Sequence, residues 1–414
     1  MNTAPAYQPR FVFWLSLAQL VTWGSVFYGF ALLMEPVERE LGLTRAESSL
    51  AFSLALLAEG LLAYPIGRWI DAGHERAVMT GGSLLVCLCL VAHSLISNPL
   101  GFYAVWIGLG GALAATLYTP AFAIVTRRFP ADFRRAIIML TFLGGLASTV
   151  FIPLTAWLIH DFGWRHALWY LAALQLMLCV PVHAIVLRNA PQKSQATTQH
   201  HPSNATSSLL LSDHLRSAPF LLIGAFVVLL MAATSALPAH LVSLLRESKL
   251  PETWVIAIPA SIGIVQVIGR ALLYFFERHF DVHLANRLIP CLIPLGLLVL
   301  LLTPHFGIGN HWLVLAFVLL YGMGNGMLTI VKGTAIAQYV DMKHVASLNG
   351  ALGIPVALAR ASAPLMLGVL WSEQAGYHYG IWALLLLSLG GITCLMLAQS
   401  LVAGRTTNSD EDKA

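Results

Sequence analysis

Four charged residues stand inside long apolar stretches of this sequence: Glu59, Arg270, Lys332 and Arg360. A charge in hydrocarbon is costly, so such residues face a protein interior or a wet cavity and mark a path for ions or substrate. Three of the four are cations. A guanidinium offers parallel N–H donors that fit a carboxylate. Arg270 lies in "SIGIVQVIGRALLYFF" (261–276), and one turn before it stands the neutral Gln266 rather than an acid. It therefore reads as an anchor for an anion, with snorkelling toward the nearer membrane face as the plain alternative. Lys332 fits snorkelling and substrate contact equally well. Tyr28, Tyr118 and Asn325, on neighbouring stretches, have hydroxyl, aromatic and amide groups suited to flank a small ligand, although packing is the commoner role for any one of them.

These side chains need helices to position them. The chain has 414 residues, 58% hydrophobic and 10% charged. A soluble domain carries about 25% charged residues, so this is an integral membrane protein. Runs of about 20 apolar residues suffice to cross a bilayer as helices. Twelve such spans are expected, near 11–34, 48–69, 78–97, 101–126, 136–159, 166–187, 218–245, 253–276, 287–303, 311–335, 347–371 and 379–402. The first is too long for a signal-peptide core and has no A-x-A site after it, so it reads as a retained span.

Lysine and arginine favour one side of the spans by about three to one. The poorer side holds Arg39, Arg45, Arg165, Arg246 and Lys249. This bias places both termini in the cytoplasm. One long polar segment, "RNAPQKSQATTQHHPSNATSSLLLSDHLRS" (188–217), reads as a flexible cytoplasmic linker. It divides the chain into a first half (1–187), a second half (218–402) and a cytoplasmic tail (403–414). The "NAT" at 204–206 fits a glycosylation acceptor but falls on the wrong side. His200 and His201 read as solvated linker, and the five cysteines lie inside apolar runs without metal spacing. No metal, cofactor or catalytic residue is expected, and a net charge of +4 argues for no nucleic-acid partner.

The halves repeat one another. "GLGGALAATLYTPAFAIVTRRF" from Gly108 answers "GMGNGMLTIVKGTAIAQYVDMK" from Gly322, and "DFGWRHALW" (161–169) answers "QAGYHYGIW" (374–382). Both pairs share nearly one register. Internal repeats of this kind are common in transporters, with the site at the interface between them.

The loop after span 2, "GRWIDAGHERAVMTGG" (67–82), resembles the loop signature of the major facilitator superfamily: Gly67, Asp71 and Arg76 match, while Ala72 and Glu75 depart from it. "GWR" at 163–165 is also common there. "WGSVFYGFALLMEPVERELGLTRAESS" (23–49) and "QVIGRALL" (266–273) resemble the monocarboxylate-transporter and oxalate/formate-antiporter branch. Gln266 stands where monocarboxylate transporters have an acid, and Arg360 resembles the added cation of the oxalate type. The resemblance implies an all-α membrane protein of twelve transmembrane helices in two pseudo-symmetric six-helix halves. It implies a latch at the cytoplasmic end of span 2, where Asp71 and Arg76 would hold the halves closed. It also sets span 2 beside span 11. Glu59 and Arg360 each lie roughly 16 Å from the same face at about 1.5 Å per residue, so a pair between them is expected, either structural or opened by substrate or a proton.

The expectation is a secondary carrier, monomeric and not an enzyme, in the plasma (inner) membrane. It would move a small organic anion, a mono- or dicarboxylate, by alternating access, coupled to protons or to a counter-anion. With Gln266 unable to take a proton, Glu59 is the acid left for that role. An exporter of drugs or metabolites with the same fold is the alternative. An enzyme or sensor fits less well, because no nucleophile motif, histidine box or output domain occurs. No Walker A sequence occurs, so ATP is not the expected drive.

Overall fold

The computed structural model describes residues 8–130, 132–188, 215–248, 250–276, 282–302, 311–340 and 345–411. Ten of its helical segments are long and apolar enough to cross a membrane. Two of these, Arg45–Ser94 and Arg135–Val186, reverse at Gly73 (φ 92°) and Gly163 (φ 77°), backbone angles that glycine alone takes without strain. Each therefore crosses twice, which makes twelve passes. In chain order these are α1 (Pro9–Leu41), α2 (Arg45–Trp69), α3 (Glu75–Ser94), α4 (Pro99–Arg128), α5 (133–162) and α6 (164–186). They continue as α7 (Ala218–Glu247), α8 (Glu252–Phe276), α9 (Val282–Leu302), α10 (His311–Tyr339), α11 (Val345–Leu370) and α12 (His378–Glu411).

Helix ends differ most from the sequence expectation at two places. The first helix was expected to stop near residue 34, but α1 continues to Leu41 and carries Glu35 and Glu38 as buried residues. Their carboxylates have partners there, so the helix need not stop at the first acid. The tail expected from 403 is helical as far as Glu411. Most of the expected linker lies outside the described residues, as do His200, His201, Lys249, Arg278 and Lys343.

The repeat is visible in the neighbours each helix keeps. In the first half α1 packs on α5 and α6, α2 on α4, and α3 on α4 and α6; in the second, α7 packs on α11 and α12, α8 on α10, and α9 on α10 and α12. Every relation recurs with the helix number raised by six. Glycines permit the closest crossings. A Cβ on Gly110 of α4 would strike the backbone of Ala55 in α2, and one on Gly326 of α10 would lie 2.7 Å from the Gln266 Cα in α8. The halves meet where α2 packs on α11, α5 on α8, and α1 on α7. The apolar core of the second half includes Ala31, Leu32 and Ile152 from the first.

Candidate functional site

The polar centre lies along these cross-half seams. On the α2–α11 seam, Ser53 Oγ accepts the Leu365 N–H at 3.1 Å, and Gly60 faces Ala357. Between them Arg360 donates from Nη1 to Glu59 Oε1 at 3.4 Å and from Nη2 to Oε2 at 3.2 Å. The fork is parallel but loose, since charge-assisted bonds of this type run at about 2.7–2.9 Å. The side chains remain 24% (Arg360) and 13% (Glu59) exposed. The expected juxtaposition of these two residues is therefore present, as a pair that water reaches.

Arg270 lies on the second seam. Its Nη1 donates to the Thr141 carbonyl of α5 at 2.6 Å, and its Nε to the Gly326 carbonyl of α10 at 3.2 Å. The guanidinium thus ties one half to the other and does not snorkel. With five N–H donors it is not exhausted by two carbonyls. The Tyr118 hydroxyl also faces it. Tyr118 is delivered there by a break in α4 at Leu117 (φ −78°, ψ −160°). Pro120 explains the break: it lacks the N–H that would bond the Thr116 carbonyl, and its ring crowds that oxygen. The Thr116 carbonyl instead accepts Gln19 Nε2 at 2.6 Å.

Aromatic rings line the adjoining face. A π-helical turn at Trp23–Tyr28 in α1 gathers Trp23, Phe27 and Tyr28. The Trp23 ring lies 5.1 Å from that of Tyr118, which stacks on Phe122 at 5.2 Å. The Tyr28 hydroxyl faces the Gln266 side chain and lies within electrostatic reach of Arg270. Lys332 extends its Nζ to 2.9 Å from Met231 Sδ, within electrostatic reach of both Arg270 and Arg360. Asn325 is half-buried on α10 beside Gly326. Residues spread over α1, α2, α4, α8, α10 and α11 thus converge on one region between the halves, with three cations and one acid among them.

The two ends of the bundle differ. Opposite the termini, charged side chains bond densely both within and between the halves. Arg246 of α7 bonds Glu35 of α1 at 2.9 Å and Glu252 of α8 at 2.5 Å. Arg45 of α2 bonds Tyr377, before α12, at 2.8 Å and pairs with Glu38 at 3.2 Å. Toward the termini, Leu61, Tyr64 and Trp69 of α2 and Ile354 and Leu358 of α11 are exposed. The far end is therefore bonded across the halves, while the apolar side chains of α2 and α11 toward the termini are left uncovered.

Asp71 is exposed in the turn between α2 and α3 and Arg76 in the first turn of α3, and no ion pair involving either is found among the described residues. The acid that works at that end is Glu75. It is fully buried and receives Arg127 and Arg128 of α4, all within the first half. The sequence signal was present in "TRRF", two adjacent arginines closing a helix. Of the far-end cluster, Glu35, Glu38, Arg45, Arg246 and Tyr377 escaped the sequence reading of the site; His240, just after Pro238 in "TSALPAH", was legible there as a titratable tip on a kinked helix. His93 and His183 are buried, the latter on Ser83 at 2.7 Å, and pack within the first half. Among the described residues no group of three or more His, Cys, Asp or Glu is placed to hold a metal ion.

The profile of the Major Facilitator Superfamily matches residues 15–283. The chain belongs to the major facilitator superfamily. It is 26% identical over 402 residues to the 2-nitroimidazole transporter of Escherichia coli (strain K12), covering 92% of this chain and 91% of that one. It is 28% identical over 309 residues to monocarboxylate transporter 13 of Bos taurus, covering 70% and 68%. In fold it superposes on a variant of the nucleoside transporter NupG with a TM-score of 0.72, at 16% identity, over 94% of this chain and 98% of that one. It is a multi-pass membrane transporter, not an enzyme.

Proposed function

We propose that this transporter is a secondary carrier of small organic anions, mono- or dicarboxylates, working by alternating access. The observation that carries the reading is the charge of the central region: among the described residues, Arg270, Lys332 and Arg360 against Glu59. A carboxylate entering there would meet unused N–H donors on Arg270 and could take over Arg360 from a loosely held partner. Tyr118 and Tyr28 would flank its body. The lysine and arginine bias puts the termini in the cytoplasm of a plasma (inner) membrane, so the arrangement described above would be the inward-facing one. Asp71 and Arg76 would then form their latch only when that side closes. Coupling is to protons, with Glu59 as the acceptor once substrate has drawn Arg360 away, or to a counter-anion. The working unit is one chain.

Uptake of labelled carboxylates into proteoliposomes tests this, with and without a pH gradient, comparing wild type with Arg270→Gln. Carboxylate uptake lost in the variant supports the reading; equal uptake in both refutes the anion site. A second reading, export of a flat neutral compound, draws on the likeness to the 2-nitroimidazole transporter over nearly its full length and on the aromatic wall of Trp23, Tyr118 and Phe122. Resistance conferred on cells, without carboxylate uptake, would favour it.

A further inference from the structure

His240 of α7 is fully buried at the far-end closure, and its two ring nitrogens have partners on three other elements. Nε2 lies 2.9 Å from the Pro364 carbonyl of α11 and 3.3 Å from Ser49 Oγ of α2. Nδ1 lies 3.0 Å from the Tyr377 hydroxyl. The proton positions follow from the chemistry at the two ends of this chain. A carbonyl only accepts, so Nε2 carries hydrogen. Ser49 is consistent, because its own hydrogen goes to the Arg45 carbonyl at 2.6 Å. At the other end Arg45 only donates, and its Nη1 gives a hydrogen bond to the Tyr377 oxygen at 2.8 Å. Burial pushes the Tyr377 hydroxyl up from its ordinary value, so it keeps its proton and donates it to Nδ1. Both ends demand the same state, a neutral imidazole with Nδ1 unprotonated.

We propose that His240 is a proton-sensing residue of the far gate, and that its protonation releases the link between Arg45 of the first half and Tyr377 of the second. A proton arriving at Nδ1 turns that nitrogen from acceptor to donor. The Tyr377 O–H···Nδ1 bond is lost, and the phenol oxygen would have to accept from an imidazolium and a guanidinium together. The Tyr377 hydrogen is left pointing at neither. Two cations then face each other across one neutral oxygen in a buried site. The surrounding charges do not cancel this. On α1, Glu38 is engaged by Arg45 and by Ser48, and Glu35 by Arg246. On α7, Glu247 accepts Trp371 Nε1 at 2.7 Å, and the Trp371 ring lies under Arg45 at 5.2 Å. No carboxylate among these touches the imidazole. The gate faces a cavity of about 500 Å3 lined by Glu35, Glu38, Arg39, Arg45, Arg246 and Glu247, which is a route for the proton from that side. The inference needs only that the chain alternates between open states, and it stands whether or not the substrate is an anion.

The test is a distance measured across the far end by double electron–electron resonance. Spin labels go at Ser97→Cys and Gln374→Cys, both exposed loop positions at that end, in a background with the native cysteines replaced. In reconstituted wild type, acidification should raise the ratio of long to short distances, by at most about tenfold per pH unit for one coupled proton. In His240→Gln the ratio should not respond to pH. Tyr377→Phe keeps the histidine but removes the contested oxygen. It should raise the long-distance fraction at neutral pH and flatten the response. A wild-type distance indifferent to pH would overturn the proposal. So would an acid response retained in full by His240→Gln or, should that variant fail to fold, by Tyr377→Phe.

Discussion

Exchanging Glu59 and Arg360 for glutamine, singly and together, measures whether the central pair is coupled. Breaking a fully buried ion pair by removing one partner costs about 3–5 kcal/mol, because the other charge is left uncompensated. A solvent-exposed pair is worth about 0–1 kcal/mol. With side chains 13% and 24% exposed and contacts of 3.2 and 3.4 Å, this pair falls between those limits. Each single variant should therefore lose about 2 kcal/mol of stability. The double variant leaves no orphaned charge and should lose about as much as either single one, giving an interaction of about 2 kcal/mol in the cycle. Unfolding in mixed micelles of rising SDS fraction reads all four proteins on one scale. Losses that simply add in the double variant would mean the two residues do not interact. Small losses in every variant would mean the cleft is wet enough for each charge to be solvated alone.

Other outcomes follow from the packing. Glu75→Gln leaves Arg127 and Arg128 without their acid and should cost about 3 kcal/mol in the same assay, whereas Asp71→Asn, on an exposed side chain, should change stability little. Gly326→Ala sets a Cβ against the Gln266 backbone and should reduce the yield of folded protein sharply, while Gly350→Ala, which meets nothing within 4 Å, should be tolerated. Fluorescent-protein and alkaline-phosphatase fusions after Val402 should report a cytoplasmic C-terminus.

What the sequence revealed and what it concealed divide along physical lines. Apolar run length and the linker composition carried the helix count, because a bilayer allows few ways to satisfy a backbone. Glu59 and Arg360 were legible because depth can be counted along each helix and only one acid was available. Arg270 was legible as a charge. Its carbonyl partners, Thr141 and Gly326, were not, since backbone acceptors leave no signature in residue type. Tyr28 facing Gln266 lies on a π-helical turn that apolar periodicity does not announce. At the far gate His240 was legible as a titratable tip after Pro238, but its charged neighbours were hidden for a different reason. Glu35 and Glu38 looked like the end of a span, and their partners Arg246 and Arg45 looked like loop charges on the positive-poor side. Only the folded chain joins them, Glu35 to Arg246 over more than two hundred residues of sequence.

The central claim is that the site between the halves requires a negative charge on its ligand. Calorimetric titration of the purified carrier with a small carboxylate and with its neutral amide tests it most directly. The account predicts heat and saturable binding for the carboxylate, none for the amide, and loss of the carboxylate signal in Arg270→Gln. Equal binding of acid and amide to the wild type, or carboxylate binding undiminished in the variant, would contradict it.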